Sequence, residues 1–277
     1  MTVTPLIAAV LANDTNKIAQ LINSDINVNQ KCDGQTALHH AVKIRKTKVV
    51  ELLIKNGADL KSYDSNNKSA MALIFSKFSQ RTILQLIKSF RAVNEQDDYE
   101  GNTALHYAAQ ENYYDCAAQL LALGADFSVV NHSSQTPVYL AAANGSAAIV
   151  KLLGGRGADV NLGDKDDWTP IFQAVFRGDI PMIELLARLG ADVDRVDSKG
   201  WTPLFYAIQK ADDLAVQVLL KHCRYVGYEH VVRYSAVGLA KQVRDDRVRE
   251  SITALIEDKL LTDWIIADNE AGSVLLF

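Results

Sequence analysis

The sequence WTPIFQAVFRGDIPMIELLARLGADVDRVDSKGWTPLFYA, residues 168–207, contains one motif twice. Trp168-Thr169-Pro170-Ile171 returns as Trp201-Thr202-Pro203-Leu204 after 33 residues. A period of roughly 20 to 50 residues is typical of stacked arrays, in which each copy buries its apolar face only against its neighbours. The stretch therefore predicts a chain built from stacked copies of one small unit.

The same period extends along the chain in both directions. Thr or Ser recurs at steps of 33, 34, 33, 33 and 33 residues, at Thr36, Ser69, Thr103, Thr136, Thr169 and Thr202. Gly-Ala-Asp follows in most copies, at 57–59, 124–126, 157–159 and 190–192. By these motifs the chain resembles the ankyrin repeat family over nearly its whole length. The resemblance implies an all-α solenoid of about eight helix-turn-helix units with short β-hairpin loops.

The recurring residue types suit this architecture. Thr can cap the first helix of each unit, and Pro one position later has the φ that a helix start needs. Gly ends the second helix, where a left-handed residue is required. An Asp or Asn suits the hairpin turn that follows, and we assign this role to Asp64, Asp98, Asn131, Asp164 and Asp197.

We divide the chain into a solenoid, 1–261, and an apolar C-terminal tail, 262–277. Within the solenoid, 1–33 is an N-terminal cap repeat, 34–223 holds the central repeats, and 224–261 is a degenerate C-terminal cap repeat. End repeats are expected to diverge because their outer faces meet water. The tail is interpreted as folding back onto the final helices, or as a recognition tag read by a peptide-binding domain or a bacterial secretion system.

Three irregularities are expected within the array. The first hairpin loop, around Gln30 to Asp33, is one residue short, because the step from Thr4 to Thr36 is 32. Arg45 replaces the glycine of an inter-helix turn, which implies strain if φ is positive there. The third unit, 67–100, is the most degenerate and carries one additional hairpin residue.

The charge varies along the chain although the net charge is only −4. Residues 1–91 carry 13 Lys/Arg against 6 Asp/Glu, residues 92–223 carry 9 against 18, and residues 224–277 carry 7 against 9. In a solenoid this order becomes a dipole that could orient a partner; the alternative is ordinary surface charge for solubility.

The three cysteines, Cys32, Cys116 and Cys223, have no metal-like spacing and are odd in number, which indicates a reducing compartment. No apolar run is long enough to span a membrane, and the N-terminus fits a first repeat better than a leader. We therefore expect a cytoplasmic protein, in the host cytoplasm if it is a secreted effector.

No catalytic or cofactor-binding constellation is present in the sequence. His39 and His106 occupy a Thr-Ala-Leu-His motif, in which the resemblance implies an internal hydrogen-bonding role. The other histidines have no metal-ligand spacing. The Gly-rich segment 154–157 lacks the Lys-Ser/Thr of a phosphate loop and is interpreted as a helix terminator. We predict a non-enzymatic protein without a cofactor.

The resemblance places a partner protein in the concave groove, between the hairpin tips and the exposed side of the first helices. Trp168 and Trp201 hold the same tip position in adjacent units, so we expect them about 10 Å apart. Aromatic and Arg side chains are typical of binding hot spots. The candidate partner-binding residues are Trp168, Trp201, Phe176, Arg177, Tyr206, Gln209, Lys210, Tyr99, Tyr107 and Lys199. Alternatively, each Trp packs on the neighbouring hairpin as part of the stack.

The leading hypothesis is a protein-protein interaction module, acting as an adaptor, scaffold or inhibitor and monomeric when free. The resemblance also allows a bacterial effector or an immunity-type protein. The alternative is a ligand- or nucleic-acid-sensing domain with bases stacked on the tryptophans. The acidic balance of residues 92–223 disfavours nucleic acid.

Asn161 lies in a context similar to that modified by asparaginyl hydroxylases in ankyrin proteins. Alternatively, it serves the hairpin turn.

Overall fold

The computed structural model describes the backbone of residues 3–24, 26–90, 92–223 and 236–274, and the side chains of these ranges up to residue 263. In these ranges the chain forms sixteen helices, and its β-structure is limited to two isolated bridges, Cys32 with Gln35 and Tyr63 with Ser69. The predicted all-α helix-turn-helix fold is confirmed. None of the described helices is both long and apolar enough to cross a bilayer.

The chain divides into two compact units, 1–153 and 154–277. The first contains α1 to α10: Pro5–Leu11, Thr15–Asn23, Ala37–Lys43, Thr47–Lys55, Ala70–Lys77, Gln80–Ile87, Ala104–Gln110, Tyr114–Ala122, Pro137–Ala143 and Ala147–Gly154, the last ending at the boundary. First helices pack on first helices, α1 on α3, α3 on α5, α5 on α7 and α7 on α9. Second helices pack likewise, α4 on α6 and α6 on α8.

The second unit contains α11 to α16: Pro170–Arg177, Ile180–Arg188, Pro203–Gln209, Asp213–His222, Ala236–Ala240 and Asp246–Val274. Here α11 packs on α13, α13 on α15, α12 on α14 and α14 on α16. The single solenoid domain over 1–261 stays a prediction, since each unit is defined by its own internal packing.

The recurring Thr or Ser caps the first helix at five of its six positions. The side chains of Thr36, Ser69, Thr103, Thr136 and Thr202 each accept a hydrogen bond from the amide three residues later. Thr169 holds the same extended backbone without this bond, and its buried Oγ1 has no partner among the described residues. Gly57 ends α4 at φ 87°, where its neighbour Ala58 donates to the carbonyl of Leu53 and closes the helix.

The hairpin aspartate of the third unit is Asp97, which corrects the assignment to Asp98. Asp97 is buried, and its Oδ1 accepts from the amides of Tyr99, Glu100 and Gly101 at 2.8 to 3.1 Å. Asp98 is exposed. The additional residue of this unit therefore lies after the turn aspartate, inside the hairpin loop.

The short first hairpin is confirmed and has a tight geometry. Cys32 and Gln35 exchange both backbone hydrogen bonds across Asp33 and Gly34. Both turn residues have positive φ, 51° and 76°. Two positive φ values are characteristic of a type I′ turn, for which Asp-Gly is a preferred sequence.

The described part of the predicted C-terminal cap contains two helices, α15 and α16, which pack on each other. Ala240 of α15 and Ile252 and Ile256 of α16 are buried. α16 continues through the boundary drawn at residue 261 to Val274, so no change of secondary structure marks it, and the division between solenoid and tail stays a prediction. The folding back of the tail involves side chains from Trp264 onward and residues 275–277, which lie outside the described part, as do residues 224–235 of the predicted cap.

The turn between α13 and α14 offers a test of backbone strain. Ala211 has φ 57°, at the position where Gly145 and Gly178 occur in the preceding repeats. A left-handed conformation costs an L-residue about 1 to 2 kcal/mol, partly offset by the greater freedom of Gly in the unfolded chain. We expect Ala211→Gly to raise the free energy of unfolding by about 0.5 to 1 kcal/mol. Urea unfolding followed by tryptophan fluorescence measures it.

The matched control places the same substitution within a helix. Ala254 is exposed in α16, where Gly lowers stability by about 1 kcal/mol. Opposite signs for Ala211→Gly and Ala254→Gly are expected. A loss of stability from Ala211→Gly would show that the turn is not strained.

Candidate functional site

The aromatic residues of the second unit are organised by Asp197, in the hairpin between α12 and α13. Asp197 is 4% exposed. Its Oδ1 accepts from the amides of Lys199 and Trp201, each at 2.9 Å. Its Oδ2 accepts from the Trp168 indole Nε1 at 3.1 Å and the Tyr206 hydroxyl at 2.7 Å. One carboxylate therefore connects the backbone of one hairpin to side chains of two repeats.

The protonation of this group follows from its contacts. Burial opposes ionisation of Asp197, but donation from the Trp201 amide, the Tyr206 hydroxyl, the Lys199 amide and the Trp168 indole outweighs it and lowers the pKa. Burial, reinforced by the adjacent Asp197 carboxylate, raises the pKa of Tyr206 well above its usual range. At neutral pH the site therefore holds a carboxylate and a protonated phenol.

The rings around Asp197 form a continuous cluster, the aromatic cluster. The Tyr206 ring contacts both indoles, with centroids 5.2 Å from Trp168 and 5.4 Å from Trp201. Trp168 stacks on Phe172 at 5.8 Å and meets Phe176 edge-on at 5.8 Å. The members are Trp168, Phe172, Phe176, Trp201, Phe205 and Tyr206.

The cluster has a buried base and an exposed edge. Phe172 is buried, while Trp168, Trp201 and Tyr206 are half-buried. Phe176 is 60% exposed although its ring packs on Trp168. The indoles thus pack within the stack, as the alternative interpretation expected, and they still leave part of their surface in solvent. Phe176 is the most exposed candidate ring in this unit.

Lys210 is engaged within the protein. Its Nζ lies 5.2 Å from the centroid of the Phe176 ring and donates to the carbonyl of Phe176, and it lies 3.4 Å from the carbonyl of Val175. A cation at the last carbonyls of α11 stabilises the negative end of the helix dipole. Lys210 therefore fixes Phe176. The other three candidates of this unit, Arg177, Gln209 and Lys199, are exposed and lie within two residues of Phe176, Lys210 and Trp201 in the sequence.

The two remaining candidates, Tyr99 and Tyr107, lie in the first unit and differ in the exposure of their side chains. Tyr99 is 49% exposed and its ring lies 6.1 Å from that of Tyr63. Tyr107 is 5% exposed, donates to Asp97 and stacks on Phe75 at 5.8 Å. The expected place of Tyr107 on the exposed side of its helix is therefore corrected, because neighbouring repeats cover it.

Asp197, Phe172 and Tyr63 were missed as site residues by the sequence reasoning. The sequence did contain a signal for Asp197. In two repeats a hairpin Asp is followed by a capping Thr and then, four residues after the Thr, by a Tyr that donates to that Asp. These pairs are Asp97 with Tyr107 and Asp197 with Tyr206. Phe172 and Tyr63 have no such signal.

Asn161 ties neighbouring repeats together. Its Nδ2 donates to the carbonyl of Gly190 at 3.0 Å, and its Oδ1 accepts from the amide of Asp192 at 2.7 Å.

Within the described side chains, no group of three or more His, Cys, Asp or Glu is arranged to hold a metal ion. The contacts of the site are packing and hydrogen bonding.

Comparisons with known proteins agree with this architecture. A family model described as ankyrin repeats matches residues 2–64, 62–131 and 138–230 in three copies. The ankyrin repeat domain of Bcl-3, described as a unique member of the IkappaB protein family, superposes with a TM-score of 0.64 at 27% identity, covering 78% of this chain and 98% of that one. The human ASB11 ankyrin repeat domain, with a TM-score of 0.61 and 24% identity over 79% of this chain and 98% of that one, shares the fold.

Curated relatives match over part of their length. The chain is 30% identical over 159 residues to the nuclear factor NF-kappa-B p105 subunit of Gallus gallus, covering 54% of this chain and 16% of that protein. It is 34% identical over 120 residues to neurogenic locus notch homolog protein 1 of Homo sapiens, covering 43% of this chain and 5% of that protein. The chain spans a small fraction of these relatives. With the family model matching well over half of its residues, the chain belongs to the ankyrin repeat family.

Proposed function

We propose that this chain is a non-enzymatic protein-protein interaction module whose partner contacts the exposed edge of the aromatic cluster, centred on Phe176. The observation that carries the proposal is the 60% exposure of a ring that is held in place by both Trp168 and Lys210. The ankyrin repeat fold generally serves protein interaction. The role is that of an adaptor, scaffold or inhibitor.

The edge has the composition and rigidity of a hot spot. Trp, Tyr and Arg are enriched among residues that dominate binding energy. Trp168 and Tyr206 belong to this edge, and the exposed Arg177 follows Phe176 directly in the sequence. The Asp197 hydrogen bonds fix Trp168 and Tyr206 before a partner arrives. Preorganised side chains lose little conformational entropy on binding, so more of the contact energy appears as affinity.

The same contacts disfavour base stacking. Trp168 already contacts Phe172, Phe176 and Tyr206, so its faces and edges are largely taken by the protein's own rings. The Lys210 ammonium group binds backbone carbonyls of the protein itself. These contacts support a protein partner with an apolar pocket for Phe176.

We further infer that the protein is cytoplasmic and that it is a monomer when free. Light scattering after size exclusion would test the oligomeric state. A role as a bacterial effector or an immunity-type protein is part of the same proposal.

Phe176→Ala is expected to weaken partner binding by about tenfold or more, because it removes the ring that a partner would enclose. Proteins captured from a lysate on the immobilised chain are identified by mass spectrometry. The most enriched protein is then purified and its affinity measured by calorimetry. Since Phe176 is exposed, circular dichroism should show an unchanged fold.

Leu214→Ala is the matched control, since Leu214 is a 57% exposed apolar residue of the second unit on α14, outside the cluster. We expect it to change affinity less than about threefold. Equal losses for both variants, or unchanged affinity for Phe176→Ala, would remove the aromatic edge as the binding surface.

A further inference from the structure

A group of five cations lies on two adjacent inter-helix turns of the first unit. We call it the basic turn patch: Arg45, Lys46, Lys48, Lys77 and Arg81. All five side chains are exposed. The first three belong to the α3–α4 turn and the start of α4, the others to the end of α5 and the start of α6. Because α3 packs on α5, the two turns lie on neighbouring repeats of the same edge.

Lys46 occupies a position where three other repeats use a capping aspartate. Asp14, Asp179 and Asp212 have nearly the same backbone conformation, and each accepts a hydrogen bond from the amide three residues later, at 2.9 to 3.1 Å. Lys46, at φ −92° and ψ 80°, makes no side-chain cap, and neither does Tyr113 at the equivalent position of a later repeat. A Lys here therefore forgoes a stabilising bond that the backbone is shaped to accept.

Arg45 is also unfavourable for its conformation. It has φ 56° at a position that holds Asn or Gly in four other repeats, as Asn13, Asn112, Gly145 and Gly178, and Ala211 in a fifth. Asn and Gly tolerate positive φ far better than Arg. Two consecutive residues thus depart from what the repeat favours, and both add positive charge. Departures from local preference are concentrated at functional sites.

The charge of the patch is not neutralised. Within the described residues, no salt bridge involves any of the five, whereas nearby Lys43 and Lys55 are paired with Asp64 and Glu51. The patch also has limits along the turn edge. Asp14 precedes it, and Asp115, which accepts from Gln80 at 2.7 Å, follows it. The five cations of the patch therefore lie on two repeats, between Asp14 and Asp115 along the turn edge.

We propose that the basic turn patch is a second interaction surface, distinct from the aromatic cluster, that binds a short acidic peptide segment of a partner. Complementary charge gives such a surface specificity and a high association rate. The patch is short, which suits a few carboxylates better than the long backbone of a nucleic acid. Phe78, the aromatic residue of these turns, is buried and provides no stacking platform for bases.

The test compares two variants of equal net charge. Arg45→Gly with Lys46→Asp restores the residues that other repeats use, so it should fold and its thermal midpoint should rise by a few degrees. Lys17→Gln with Lys88→Glu changes the net charge equally at exposed residues outside the patch. Binding of a fluorescein-labelled oligoglutamate peptide is measured by polarisation at about 0.15 M salt, where long-range attraction is largely screened.

We expect the wild-type chain and the Lys17/Lys88 variant to bind the peptide alike, and the Arg45/Lys46 variant to bind about tenfold more weakly. Equal losses in both variants would show a net-charge effect and overturn the proposal, as would no binding by the wild-type chain. An oligothymidylate of equal charge is the third probe. Its tighter binding would overturn the assignment to acidic peptides.

Discussion

Asp197→Ala is expected to lower the free energy of unfolding by about 3 to 4 kcal/mol. The substitution leaves the Trp168 indole and the Tyr206 hydroxyl without their acceptor and removes the bond that closes the hairpin at the Trp201 amide. Asp197 is buried, so water replaces these bonds poorly. Urea unfolding followed by tryptophan fluorescence measures the effect directly, because all three tryptophans of the chain lie in residues 154–277.

Two further variants separate the carboxylate from its surroundings. Asp166→Ala removes an exposed carboxylate from the neighbouring hairpin, and we expect a change within about 0.5 kcal/mol. Asp197→Asn keeps an acceptor for the backbone amides and brings an NH₂ group towards the indole, so its stability should lie between the wild type and Asp197→Ala. A loss under about 1 kcal/mol for Asp197→Ala would show that the aromatic cluster is held by ring packing alone.

The repeat pattern predicted the fold well because each recurring residue satisfies a local requirement. Thr103 caps α7 through its own hydroxyl, and Gly57 ends α4 with a positive φ. Such features depend on residues only a few positions apart. They can therefore be predicted from one sequence, including the strain at Arg45 and the short turn at Asp33 and Gly34.

The candidate site was harder to predict because it depends on contacts between repeats. Tyr107 and Tyr206 hold the same repeat position and both donate to a hairpin aspartate, yet Phe75 stacks on Tyr107 and helps bury it. The burial of each tyrosine depends on the residues of the adjacent unit. Asp97 and Asp98 show a related limit, since the period alone does not decide which of two consecutive aspartates is the turn residue.

The buried imidazole of His106 should make the first unit sensitive to mild acid. Its Nδ1 accepts from the Thr103 amide at 3.1 Å, so Nε2 carries the proton and donates to the carbonyl of Gln135 at 3.0 Å. Protonation of Nδ1 would remove the acceptor that Thr103 needs. Burial is the main cause that lowers the pKa of His106 to about 4, and the Gln135 contact and Asp97 oppose it only partly.

Between pH 6.5 and about 4 the unfolded chain therefore takes up a proton at His106 that the folded chain refuses. Stability is complete above pH 6.5 and falls as the pH is lowered, by about 3 kcal/mol in total from this residue. The pKa of His39 is also lowered, mainly by burial, and adds in the same direction. Asp64, whose pKa is lowered to about 2 despite opposing burial, contributes only at more acidic pH.

His106→Gln isolates the contribution of the imidazole. Gln at the third helical position can still accept from the Thr103 amide, as in a capping box, but it does not titrate. We expect the variant to be less stable at neutral pH, since it loses the bond to Gln135. It should also lose less stability on acidification, because only His39 and His40, whose pKa values are lowered mainly by burial, still contribute in this direction among the histidines with a lowered pKa. Urea unfolding followed by circular dichroism at several pH values between 7.5 and 4.5 measures both slopes. Parallel slopes for the two proteins would mean that the folded chain accepts the proton at His106, and that the pairing of this histidine with Thr103 and Gln135 does not depend on its neutrality.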